Sequence, residues 1–488
     1  MSMDYLELIK GGDVKEIKAA FEGQKSEFEE APDTAKAQYT VAEHDIFSET
    51  IRPKKTIKKD SGNRTESGEV ELVSAQVEVA RIGIPFQKII VERRVGFMLS
   101  EPVRVEVLYG DDTPAEAELV DMIERVQNDN KMDYKNKDIA RRMMSEMECA
   151  EIWYFVENTN PGVKSKFALR VKIVSPQLGD ELYPLFDATG DMIAFARAYK
   201  IKEEGKEIEH YDIYTMESET KYVEREGAWI IDPDTGAPNP VPNAVGKIMV
   251  IYHTQPAPEW ADVQSMITRF ETLLSNHADT NDYFGSPILA VSGQLEGYAS
   301  KGETGKILQL ESGAQANYLA LSSEPNSIKM EMDHLFQYIH NMSQTPDISF
   351  DKMMGLGDLS GIALRLMFLD AHMAVKNKEE IFGIGLQRRI NLLKAAIGRV
   401  MITSMGKMAE QIQIKPILTP YVPENVSEIL HDLVLAQNNH ILSQETAVEL
   451  NPLVADNENE MIRLEEDGIK ELAGEPGVEQ VVPNKIAP

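Results

Sequence analysis

The hydrophobic pattern of this chain changes character near its middle. From Pro85 the segment PFQKIIVERRVGFMLS sets Phe86, Ile89, Ile90, Arg93 and Phe97 at helical spacing, with Pro in the favoured early position. VRVEVLY (103–109) then alternates polar and apolar residues, which predicts a strand ending at the turn Gly110-Asp111-Asp112. A helix pair is expected over 115–129 and 134–150. Short strand-like runs follow at Ile152–Val156, Phe167–Val174, Ile193–Ile201, His210–Thr215, Lys221–Arg225 and Lys247–His253. Turn signals separate them, among them Asn160-Pro161-Gly162 and the run from Asp232 to Gly236. This half reads as α+β with a mostly antiparallel sheet.

From Glu259 to about Tyr283 the pattern becomes nearly heptad, with Trp260, Val263, Ile267, Phe270, Leu274 and His277 in one stripe. Such a helix is about 37 Å long and stops at Gly285-Ser286-Pro287. Three short strand-like runs, ILAVSG, KILQL and NYLALS, come next, joined by Gly-rich turns. Pro325 then opens a second helix in which Ile328, Met332, Leu335, Ile339 and Met342 step by four, three, four and three. Two heptad-like helices around a small β module are expected to pack antiparallel and carry that module outward. The longest helical run goes from Gly361 to about Met405, roughly 67 Å, with Asp358 or Ser360 as cap and a kink expected at Gly383 and Gly385. A strand at Ile412–Leu418, a helix over 425–438 and short helices after Ser443 and Asp456 complete the pattern. Residues 471–488 read as a flexible tail, and residues 1 to about 70 as a loosely packed arm.

Charge narrows the possibilities. The 488 residues carry 50 Lys and Arg against 80 Asp and Glu, a formal net charge of −30. A protein that reads DNA sequence by gripping phosphates needs a basic face. The one dense basic run here, Arg52 to Lys59, reads as a solvated loop. Acidity instead suits a surface that lets DNA slide past. The single cysteine, Cys149, excludes an internal disulfide and reads as a buried residue in the helical run Met143–Ala150. No apolar stretch is long enough for a membrane span, and the N-terminal residues have no signal-like apolar region, which predicts a soluble protein made in the cytoplasm.

Several fragments imitate catalytic or binding sites. Lys301 to Ile307 is similar to a phosphate-binding loop, but Ser300 stands where the first Gly is needed and Ile307 where Ser or Thr is needed. Gly355-Leu356-Gly357-Asp358-Leu359-Ser360-Gly361 has its last Gly one place late for a dinucleotide fingerprint. The run from Asp232 lacks the distal acidic ligand of a calcium loop. His334 and His340 are six apart and so lie on different helix faces, which is not a metal pair. The expectation is therefore no catalytic residue, no metal and no cofactor.

The order of elements and four phrases carry a resemblance. FQKIIVERRVGFMLSEPVRV, ETLLSNHADTNDYFGSPILAVSG and SQTPDISFDKMMGLGDLSGIALRLMFLDAHMAVKNKE (343–379), followed by ILSQETAVELNPLVADNENEMIRLEED (441–467), fall in the order seen in the siphophage-type portal family of tailed bacteriophages. The resemblance covers about residues 70–470. It implies a portal fold: an antiparallel β and helical wing (71–258), a two-helix stem (259–285 and 325–344), a small β clip (286–324), a tunnel loop (345–360), a long kinked helix with a return to the wing (361–424), and a helical crown (425–470). It places Phe350, Asp351, Lys352, Met353, Met354, Gly355, Leu356, Gly357, Asp358 and Leu359 at the narrowest part of a DNA channel. Ser360, Gly361, Ala363 and Leu364 match the family's helix-start motif. Lys352 reads either as an occasional phosphate contact or as an ordinary exposed lysine. Met353 and Met354 read as core packing before channel lining.

The resemblance further implies a homo-oligomeric ring of about twelve subunits at one capsid vertex of a virion. Its partners would be the terminase large subunit, a head-completion adaptor, major capsid and scaffolding proteins, and double-stranded DNA passing non-specifically, with no membrane. Two other readings remain open at this point: a different oligomeric scaffold with the same helix–β–helix excursion, and an enzyme whose site has no sequence signature.

Overall fold

The computed structural model describes residues 5–25, 27–64, 70–110, 113–159, 165–203, 205–233, 238–284, 288–292, 295–297, 309–310, 315–319, 325–349, 361–421, 426–454 and 456–474. Contacts divide the chain into two units. Met1–Pro346 with Asp370–Tyr421 forms one, and Asp347–Leu369 with Val422–Pro488 the other.

The first unit opens with α1 (Tyr5–Gly11) and α2 (Val14–Glu22). Asp13 caps α2 through the N–H groups of Lys15 and Glu16. Val14, Ile17 and Phe21 step by three and four along one stripe, and all three are buried in a core with Tyr183, Ala194, Ala196, Tyr211 and Ile213. This part of the chain, expected as a loose arm, thus supplies core residues; its stripe is too short to stand out from the charges and glycines around it. Next come α3 (Pro32–Tyr39), the antiparallel ribbon β1 (Lys55–Arg64) and β2 (Val70–Val77), α4 (Phe86–Met98), β3 (Arg104–Tyr109), α5 (Pro114–Asp129) and α6 (Met132–Glu146). Thr113 and Glu116 form a reciprocal capping box that starts α5.

The helix expected over 134–150 ends at Glu146. Met147 turns the chain with φ of 67°, and Cys149 lies in β4 (Glu148–Glu157), not in a helix. The thiol is fully buried, and burial pushes its pKa up. Antiparallel pairing then builds two sheets from β5 (Phe167–Val174), β6 (Asp180–Phe186), β7 (Met192–Glu203), β8 (Lys206–Thr215), β9 (Ser218–Arg225), β10 (Ala228–Ile231), β11 (Val241–Pro242) and β12 (Val250–Thr254). One has the order β10-β9-β8-β7-β6 with β11 beside β9, and the other the order β12-β4-β5. Alternation of side chains separates two cores. Ala194, Ala196 and Ala198 of β7 face α2, whereas Phe195 packs with Ile152, Val174, Val250 and Tyr252 toward the smaller sheet.

A helix α7 (Gln264–Phe284) follows a short 3-10 turn at Ala261–Val263, so it begins later than Glu259. Among the described residues that come next are β13 (Ile288–Ser292), β14 (Leu295–Gly297), β15 (Gln309–Leu310) and β16 (Gln315–Leu319), then α8 (Pro325–Met342). β13 pairs with β16 and β14 with β15, both antiparallel, so the chain that leaves α7 returns alongside itself to α8.

The long helical run is interrupted. α9 (Gly361–Met367) lies in the second unit, Phe368 breaks the pattern, and α10 (Leu369–Ala396) continues without interruption through Gly383 and Gly385. A π turn at Ile397–Met401 and a 3-10 turn at Thr403–Met405 lead into α11 (Gly406–Gln411). The irregular turn brings Gly398 against Gly406, where an added Cβ would lie 3.1 Å from the Gly406 Cα, too close for any larger residue to fit without movement. β17 (Gln413–Ile417) then pairs antiparallel with β3. In the second unit, α12 (Val426–Asn438), α13 (Gln444–Glu449, capped by Ser443) and α14 (Asn457–Gly474) follow.

Candidate functional site

The residues expected to carry function, Phe350 to Leu359 with Ser360, lie outside the described residues, while Gly361, Ala363 and Leu364 fall in α9. What is described is the framework on the N-terminal side of that segment. The chain leaves α8 through Ser343, Gln344 (φ of 49°), Thr345 and Pro346. His340 Nδ1 stands 3.0 Å from the Thr345 carbonyl oxygen, which curls the exit back on the helix. Two adjacent arginines of α4 hold it from the side. Arg93 donates to the Pro346 carbonyl at 2.5 Å, and Arg94 to the Ser343 carbonyl at 2.7 Å.

Arg94 is buried, and burial lowers its pKa against the opposing pull of Glu259. Its Nε stands 3.0 Å from Glu259 Oε1, and Glu259 Oε2 stands 2.7 Å from Lys378 Nζ on α10. Lys378 also donates to Gln255 at 3.0 Å. One buried carboxylate therefore joins α4, α10 and the approach to α7. Charge-assisted contacts of this kind fix position more than they add stability.

The helices α7 and α8 meet through Arg269 and Glu331, 2.7 Å apart, and through Phe86, which packs against both Phe270 and Phe336. N-terminal residues brace α7 and the turn that leads into it. Gln38 accepts from the Trp260 indole at 2.7 Å, and Tyr39 stacks on that ring. His44 meets Glu271 at 2.7 Å in a buried pair, and the same Glu271 oxygen accepts from Ile84 N–H. Arg52 and Lys55 converge on Asp279 at 2.8 and 2.9 Å, and Ala80 N–H donates to it. Slight burial would raise the Asp279 pKa, but these donors hold it below the usual carboxylate range. The basic run expected as a solvated loop thus fastens a ribbon to a helix through two of its members.

A second anchor fixes α10 to the smaller sheet. Arg389 donates to Glu151 through Nε (2.8 Å) and Nη2 (2.5 Å) and to Asn136 through Nη1 (2.7 Å). His253 Nε2 lies 2.7 Å from Glu151, and the Trp153 indole donates to it at 3.0 Å. Burial alone would raise the Glu151 pKa; Arg389 and His253 bring it down to about 2. Gly385 lies over His253, and any Cβ there would run into the imidazole ring. Gly383 has open space around it, so of the two glycines expected at a kink only Gly385 is required by packing.

The other sequence fragments separate. Residues 301–307 and 355–360 lie outside the described residues, as do 234–237. His334 contacts Tyr338 on the outside of α8, whereas His340 is buried against Phe336. Among the described residues no group of three or more His, Cys, Asp or Glu is arranged to hold a metal ion, and no helix is long and apolar enough to cross a membrane. Sequence reading missed the partners of Arg93, Arg94 and Arg389, which lie roughly 250 residues away and leave no local spacing.

An α+β body, two packed helices with paired strands between them in the chain, and a clamped exit from the second helix are the features on which the class of this protein rests. The family profile described as "Phage portal protein, SPP1 Gp6-like" matches residues 38–472, and the chain belongs to that family of portal proteins. No curated protein shows significant similarity to it.

Proposed function

We propose that this chain is the portal subunit of a tailed phage. On this reading it closes into a ring of about twelve copies at one capsid vertex, with a channel through which the genome is packaged and ejected. The family match over residues 38–472 carries the reading. The structural support is the clamp of Arg93 and Arg94 on the exit of α8, directly before the segment assigned to the channel constriction.

The wing is then the two-sheet body, the stem α7 and α8, and the clip the paired strands between them. The clip would meet the terminase and later the head-completion adaptor, while the body would meet capsid and scaffolding proteins. The loop Phe350–Leu359 forms the constriction, with Lys352 as an intermittent phosphate contact and Met353 and Met354 turned to the core instead of the channel. Helices α12 to α14 are the crown. A net charge of −30 gives walls that hold DNA weakly, as a conduit requires. No cofactor enters this function.

Electron microscopy of the purified assembly, with class averages sorted by rotational symmetry, tests the proposal. Closed rings with an opening wide enough for duplex DNA are expected. A closed oligomer without a central opening would overturn it.

A further inference from the structure

Between the two sheets of the body lies a cavity of about 520 Å³, lined by no described residue of α7 or α8. Its volume falls within the range of small-molecule sites. Tyr154, Tyr199 and Tyr214 give it aromatic walls. Across its floor the strand register aligns Arg197 of β7, Asp212 of β8 and Lys221 of β9 in one row.

The row is unevenly satisfied. Arg197 donates to Asp180 at 2.7 Å and stacks on Tyr199, 3.7 Å from the ring centre. Lys221 pairs with Glu219 at 3.1 Å. Asp212 is only 2 % exposed. Its Oδ2 has Tyr214 Oη at 3.5 Å and Arg197 Nη1 at 3.8 Å, and the Tyr199 hydroxyl interacts with the same carboxylate. Its Oδ1 has no hydrogen-bond partner. A buried acceptor left open is costly, and more so when charged. At the exposed edge, Lys172 makes no ion pair among the described residues and hangs over the Tyr199 ring.

With Arg197 matched by Asp180 and Lys221 by Glu219, the cavity presents one open acceptor, one open donor and flat apolar walls. Three bases (Arg197, Lys221 and Lys172) face three carboxylates (Asp180, Glu219 and Asp212), so no net charge at the cavity favours an ion of either sign. We infer that the cavity binds a neutral, planar heteroaromatic ring carrying an N–H beside a carbonyl, as a lactam-type nucleobase does. The ring N–H donates to Asp212 Oδ1, the carbonyl accepts from Lys172, and the ring lies among the aromatic side chains.

Calorimetric titration of the full-length chain with uridine and inosine tests this, with 3-methyluridine and 1-methylinosine as controls that lack the ring N–H. Saturable binding of the two parent nucleosides at one per subunit is expected, and at least about tenfold weaker binding of the methylated pair. Asp212→Asn should weaken uridine binding roughly tenfold, and Ala244→Trp, which fills the cavity and leaves Asp212 in place, should abolish it. Absence of saturation with both parents would mean that the cavity holds only water and would overturn the inference. Equal binding of methylated and parent nucleosides would overturn it as well. The methylated pair decides the matter on the unaltered chain even where a variant fails to fold.

Discussion

Two buried carboxylates in adjacent sheets of the same body meet opposite fates. Glu151 and Asp212 are both nearly inaccessible and both lie near an arginine. Glu151 faces donors from Arg389, Trp153 and His253 and titrates at about 2. Asp212 shares an arginine already committed to Asp180, keeps one oxygen without a partner, and is pushed by burial up to about 6. Burial pushes both carboxylates up, and the supply of donors decides the net sign. Glu151 is a structural joint. Asp212 keeps one acceptor open in a row whose two bases are matched.

The sharpest way to break the contrast is to make Glu151 resemble Asp212. Arg389→Leu leaves the Glu151 carboxylate buried with too few donors and should cost about 3–5 kcal/mol, read as a large fall in the denaturation midpoint. Gly385→Ala attacks the same joint through His253 and should cost about 1–3 kcal/mol. Gly383→Ala, two residues away with open space around its Cα, should be neutral or stabilise by up to about 1 kcal/mol. Equal effects of the two glycine changes would show that His253 moves freely.

The converse change is milder. Asp212→Asn removes a carboxylate whose folded pKa is raised above its unfolded value. Such an acid destabilises the fold fully above about pH 6 and not at all below about pH 4, where both states are protonated. The substitution should therefore raise stability by about 1–2 kcal/mol at pH 8, with the gain fading as pH falls from 6 toward 4. Glu151 runs the other way: its contribution is complete above its ordinary pKa of 4.5 and is lost as pH falls toward 2. Thermal melts across pH 3–8 on the parent and the Asp212→Asn variant separate the two carboxylates.

Elements with a clean period were legible. The helix from Phe86, the pair α7 and α8, and the strand Phe167–Val174 lie where periodicity puts them, to within a few residues. The end of α6 was not legible. Met143–Ala150 has no Gly or Pro, and the turn falls on Met147, a residue that rarely takes positive φ. β6 was missed because Pro184 argues against a strand; it is tolerated there because β6 ends the sheet order. The Asp232 run looked like part of a metal loop only in isolation. Arg93 and Arg94 stood in a recognised helix, yet their roles depend on carbonyls roughly 250 residues away that no local pattern encodes. The order of segments still carried the family resemblance, because order survives where spacing does not.

The bracing of α7 by residues 38–55 also has a temporal side. Gln38 and Trp260 are 222 positions apart, and His44 and Glu271 are 227 apart. A ribosome adding about 5–20 residues per second makes the first member of each pair wait roughly 10–45 seconds for the second. Through that interval Tyr39, His44 and Arg52 have no helix to rest on, and any chaperone that shields this stretch of nascent chain must release it after α7 has emerged. Closure across such spans is slow, and the clamp of Arg93 on Pro346 and the joint of Arg389 with Glu151 must wait longer still, because Pro346 and Arg389 leave the ribosome after α7.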